Sequence, residues 1–98
     1  MVFTGAINSQ ITRTGGETFN YLILNKTAGN LVLNNDVTVN AGVGNVLQLL
    51  GAATSATVGA INLNSNNFTL SGVGGDIFLG THTSAASRFI TGAGEFRI

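Results

Sequence analysis

The chain has no cysteine, no proline, no tryptophan and a single histidine, and only 8% of its 98 residues are charged. Without cysteine there is no disulfide framework and no thiolate metal site. The low charge excludes more. A typical soluble domain carries about 25% Asp, Glu, Lys and Arg, whereas here four basic residues balance four acidic ones for a net charge of zero. Nucleic-acid binding needs clustered Lys and Arg to displace counterions, and a polybasic membrane patch needs the same. No apolar run approaches the roughly 20 residues of a spanning helix, although 44% of the chain is hydrophobic. Neither a nucleic-acid partner nor a membrane span is therefore expected. The opening Met1-Val2-Phe3-Thr4-Gly5-Ala6 has neither the basic nor the long apolar segment of a secretion leader, so a processed form or a fragment is expected.

What fills the space left by charge is Asn, Thr, Ser and Gly. Rows of such residues suit stacked structure, in which equivalent side chains lie above one another and share hydrogen bonds. The apolar residues have their own order. Six times, two apolar residues flank a variable one and a small or amide residue closes the unit: Leu22-Ile23-Leu24-Asn25, Leu31-Val32-Leu33-Asn34, Val37-Thr38-Val39-Asn40, Ile61-Asn62-Leu63-Asn64, Phe68-Thr69-Leu70-Ser71 and Ile77-Phe78-Leu79-Gly80. Looser copies are Leu47-Gln48-Leu49-Leu50 and Phe96-Arg97-Ile98. Residues two apart on a strand point the same way. Each unit thus reads as a very short strand with one buried face, ending at a corner.

The units align in threes. From Leu31 to Ile61 is 30 residues, from Val37 to Phe68 is 31 and from Phe68 to Phe96 is 28. A period of about 30 with three strands per period predicts an all-β, single-domain parallel β-helix, or β-solenoid. It has about three strands per coil and three to four coils: a partial first coil over 1–18, then coils over approximately 19–45, 46–75 and 76–98. The expected core is Leu22, Leu24, Leu31, Leu33, Val37, Val39, Leu47, Leu49, Ile61, Leu63, Phe68, Leu70, Ile77, Leu79, Phe89, Phe96 and Ile98. Gly and Asn supply the corners. Two longer insertions, Gly51–Gly59 and Thr81–Ser87, interrupt the coils, and insertions of this kind commonly carry specificity.

Reactive residues are few. Glycosidic acid–base chemistry needs two carboxylates facing one substrate. Asp36 and Asp76 each stand just before a strand unit, where an acid commonly bonds local backbone groups, so both read as corner residues. His82 lies in a loop near Ser84 and Ser87 without an adjacent acid to complete a triad, and one histidine without cysteine makes no zinc site. The Gly72-Val73-Gly74-Gly75-Asp76 run is a lone, imperfect copy of a calcium turn that works only in repeats. No catalytic, cofactor or metal residue is assigned, and the chain is expected not to be an enzyme.

Apolar residues at outward positions point elsewhere. Tyr21, Ile23, Val32, Phe78 and Ile90 fall where polar residues are expected. Several such residues on one short solenoid predict a covered patch. The end coils compound this, because a solenoid's first and last coils expose unpaired backbone unless they are capped, and no segment resembles a cap. The predicted association surface is Tyr21, Ile23, Val32, Phe78, Ile90, Phe96 and Ile98.

The stretch from Phe19 to Asn40, together with Gly59-Ala60-Ile61-Asn62-Leu63-Asn64, Phe68-Thr69-Leu70 and Ser87-Arg88-Phe89-Ile90-Thr91-Gly92, resembles the repeat regions of large secreted surface proteins of Bacteroidetes. The resemblance implies a non-catalytic extracellular stalk or adhesin-like segment of the kind exported by the type IX system. The C-terminal sorting domain those proteins carry has no counterpart in this sequence. The expectation is thus an extracellular structural module that associates end to end, as a filament subunit or an adhesin segment. The alternative is a binding module whose 51–59 and 81–87 loops recognise glycan or a cell surface.

Overall fold

A computed structural model describes residues 1–51, 60–80 and 89–98. The described residues form short strands and connecting turns, with no helix. In chain order the strands are β1 (Val2–Gly5), β2 (Ser9–Ile11), β3 (Glu17–Phe19), β4 (Leu22–Lys26), β5 (Leu31–Leu33), β6 (Val37–Val39), β7 (Asn45–Gly51), β8 (Ile61–Asn62), β9 (Asn66–Leu70), β10 (Asp76–Leu79), β11 (Ile90–Thr91) and β12 (Gly94–Arg97). Every third strand joins the same sheet. The three four-stranded sheets run β1-β4-β7-β10, β2-β5-β8-β11 and β3-β6-β9-β12, and every pairing is parallel. The arrangement is consistent with a β-helix.

The apolar period sets the register. Leu22 pairs with Leu47 and Leu24 with Leu49; Leu31 pairs with Ile61; Val37 pairs with Phe68, which pairs in turn with Phe96. A one-residue slip would turn every one of these side chains to the opposite face. Like residues thereby form columns, and Leu22, Leu24, Leu31, Leu33, Val39, Leu47, Ile61 and Phe68 are each 0% exposed. Phe68 and Phe96 stack with centroids 5.5 Å apart, a geometry favoured over an unoffset sandwich by the ring quadrupoles.

Ahead of β4, the strands β1, β2 and β3 add one strand to each of the three sheets, although they lack the paired apolar residues of later units. The structure corrects the sequence reading in three places. Ile77 and Leu79 keep the core register on Leu47 and Leu49, yet are 36% and 49% exposed. They lie on β10, the outermost strand of its sheet, and among the described residues no further strand covers them. Ile98, also expected inside, follows β12 and is 89% exposed. Ile90, expected to face outward, pairs with buried Ile61 and packs against the core beside Phe89 and Phe96.

The core also holds residues that the period did not mark. Val46 is buried because the register slips beside it: Asp76 pairs with Asn45 but Ile77 with Leu47. The extra residue is a β-bulge, which re-aims its side chain. Lys26 is fully buried as well. On an extended strand it shares a face with Leu22 and Leu24, so the same alternation that marks the core could have found it.

Candidate association surface

Corners first position the backbone. At the corner before the second sheet, Asn8 Oδ1 accepts from Asn30 N at 2.8 Å, and Asn30 Oδ1 accepts from Ala60 N at 2.9 Å. Each asparagine amide thus binds the backbone of the equivalent corner one strand along its sheet. At the next corner, Asn34 Nδ2 donates to Gln10 Oε1 and Thr12 Oγ1, and Asn64 Nδ2 donates to Asn34 Oδ1. A third series runs through Asp36, whose Oδ1 accepts from Asn67 N at 2.9 Å, and Asn67, whose Oδ1 accepts from Glu95 N at 3.2 Å. Asp36 therefore is a corner residue, but its partner lies on the neighbouring strand rather than in its own turn. Asp76 opens β10, in a different sheet from β6, the strand that Asp36 precedes.

Glycine permits the closest approaches. A Cβ on Gly72 would collide with the carbonyl oxygen of Ala41. Gly94, at φ +116°, lies against the Asn66 carbonyl oxygen and has a backbone conformation that L side chains rarely adopt.

Among the described residues one charged side chain is buried. Lys26 Nζ donates to Thr4 O at 2.9 Å and to Ser9 Oγ at 3.0 Å. A buried amine is costly unless hydrogen-bonded, and these two acceptors, on β1 and β2, tie the first triplet of strands to the second.

The predicted surface residues separate into groups. Val2, Ile23, Gln48 and Phe78 form one register column across the first sheet. They have the parity opposite to buried Leu22, Leu24 and Leu47. Phe78 is 46% exposed and Val2 53% exposed, while Ile23 is half-buried. Tyr21, 40% exposed, donates its hydroxyl to Val43 O. Val32 lies apart on the second sheet. Phe96 and Ile98 belong to the outer strand of the third sheet and its continuation, and Ile98 and Arg97 help line an open hollow of about 510 Å³ with Thr69, Leu70, Gly72 and Val73. A shallower polar hollow of about 260 Å³ lies among Gly15, Gly16, Asn35, Asp36 and Asn66.

The outermost strands are where exposure concentrates. On β10, Asp76, Ile77, Phe78 and Leu79 are all exposed. By contrast, Leu47 and Leu49, directly beneath Ile77 and Leu79, are 0% and 1% exposed. Long exposed strand edges are templates for pairing unless bulges, charge or proline blunt them. Two ion pairs stand at the ends of the third sheet: Arg13–Glu17 at 3.4 Å beside β3, and Arg97–Glu95 at 2.7 Å on β12. Among the described residues no group of three or more His, Cys, Asp or Glu could hold a metal ion. His82, Ser84, Ser87 and nearly all of the two insertions lie outside the described residues.

No protein-family model, curated protein or solved structure matches the chain.

Proposed function

We propose that the chain is a non-catalytic β-solenoid module, extracellular or at a cell surface, that associates end to end as a filament subunit or as a segment of an adhesin-like stalk. One observation carries this reading. The core-facing residues of β10 lie in register with buried leucines, yet remain exposed at the sheet edge. Covering such side chains with another strand gains roughly 25 cal/mol per Å² of apolar surface and pairs the free backbone edge. The balanced, sparse charge offers little repulsion against association. Negative-stain microscopy with static light scattering tests it. Mass that grows with concentration, with rods or filaments, supports the proposal; a constant monomer mass at high concentration ends it.

A second reading is a binding module in which residues 51–59 and 81–87 recognise glycan or a cell surface. What supports it is that these segments follow β7 and β10 in sequence, and those strands are neighbours in one sheet. Binding to a glycan array by the intact chain, lost when both segments are shortened, is the expected result for that reading.

A further inference from the structure

We infer that the association is head to tail in one particular register, β10–β12 of one copy receiving β1–β3 of the next, and that the two ion pairs at the sheet ends exchange partners across the junction; this rests on the end-to-end reading above. All three sheets are parallel, and each has a strand of the first triplet at one edge and a strand of the last triplet at the other. A second copy of the same orientation therefore continues every sheet at once, whereas an inverted copy would have to pair all three antiparallel. Such a contact is heterologous and open, so it propagates.

The columns fix the register. Phe3, Leu24, Leu49 and Leu79 stand in one column, so Leu79 meets Phe3 of the next copy. Val2, Ile23, Gln48 and Phe78 stand in the adjacent one, so Phe78 meets Val2 of the next copy. Glu17 lies at the foot of the Val37–Phe68–Phe96 column. It would stand over Phe96 with its carboxylate already turned aside to Arg13 and to Thr18 N.

Charge selects the same arrangement. The first-triplet end of the third sheet carries Arg13 and Glu17, and the last-triplet end carries Glu95 and Arg97. Arg97 is in the column of Thr18, beside Glu17. Glu95 continues the Asp36–Asn67 corner series, and Gly16, bonded to Arg13 O, lies against Asp36 O at the foot of that corner. In the extended register Glu95 approaches Arg13 of the next copy, and Arg97 approaches its Glu17. Across a junction such complementarity fixes register and partner more than raw affinity.

The chain has no native cysteine, which permits a direct test. Adjacent strands lie about 4.8 Å apart, within the Cα separation of about 4.4–6.8 Å that a disulfide spans. Val2→Cys and Phe78→Cys each replace an exposed side chain. Mixed and oxidised, the two single variants should give a covalent dimer that neither gives alone, and the double variant should give a ladder. A dimer from either variant alone overturns the head-to-tail register. No dimer from the mixture, while light scattering still reports oligomers, overturns the register and leaves the end-to-end reading standing. Monomer mass throughout overturns both. For the charges, the paired exchange Glu95→Arg with Arg97→Glu keeps the ion pair within the strand and should weaken association about tenfold or more by placing like charges together. Adding Arg13→Glu with Glu17→Arg should restore it. Failure of that restoration, with fold retained by circular dichroism, removes the charge exchange.

Discussion

Lys26 Nζ donates a 3.0 Å hydrogen bond to Ser9 Oγ across the boundary between the first two triplets of strands, from a side chain with 0% exposure. The two residues are 17 apart in sequence. Their contact joins the least apolar part of the stack to its best-packed part. The first triplet has only Phe3, Ile11 and Phe19 against the core, so a polar tie there replaces packing that the sequence does not provide.

Truncating that lysine should be expensive. Lys26→Ala removes a buried stem and leaves Thr4 O without its donor, and is expected to cost about 2–5 kcal/mol. Lys26→Met keeps most of the stem and should cost less. Ser9→Ala loses one neutral partner, for about 0.5–1.5 kcal/mol. Urea denaturation of the three variants should rank them in that order, with Lys26→Ala the most destabilised.

Depth in the stack should set the cost of core truncation. Phe68 is 0% exposed between Val37 and Phe96, and Phe68→Ala is expected to lose about 3–5 kcal/mol. Leu79 occupies the same kind of core-facing position but is 49% exposed, so Leu79→Ala should lose under about 1.5 kcal/mol in dilute solution. Equal losses in chemical denaturation would show that β10 is covered within the single chain.

The asparagine series predicts an asymmetry at one residue. Asn30 Oδ1 satisfies the N–H of fully buried Ala60. Asn30→Ala should cost about 1–3 kcal/mol by stranding that donor, whereas Asn30→Asp retains an acceptor and should cost less. Hydrogen exchange at Ala60 should accelerate in the alanine variant and stay slow in the aspartate one.

Two glycines with positive φ should respond differently to alanine. At Gly94 the added methyl meets the Asn66 carbonyl oxygen as well as an unfavourable backbone angle; at Gly44, φ +73°, it meets open space. Gly44→Ala is expected to cost about 1–2 kcal/mol from conformation alone, and Gly94→Ala to cost more. Thermal melts of the two variants read the difference directly.

Alternation alone specified much of this molecule. Leu-x-Leu units spaced near 30 residues apart place Leu31 on Ile61 and Val37 on Phe68, because side chains on a strand alternate and only one register keeps the apolar face inside. The same parity puts Lys26 inward, but its charge kept it out of the expected core, and the structure buries it. The sequence also placed Asp36 and Asp76 at separate strand starts, and in the structure they stand just before β6 and at the start of β10, in different sheets. Tertiary structure decided what alternation cannot express. It turned Val46 inward through a bulge, and completed a first triplet of strands from residues with too few apolar side chains to signal themselves. It also left Ile77 and Leu79 exposed despite their core parity, because burial depends on whether another strand lies beyond, and that is a property of position in the stack rather than of the residues themselves.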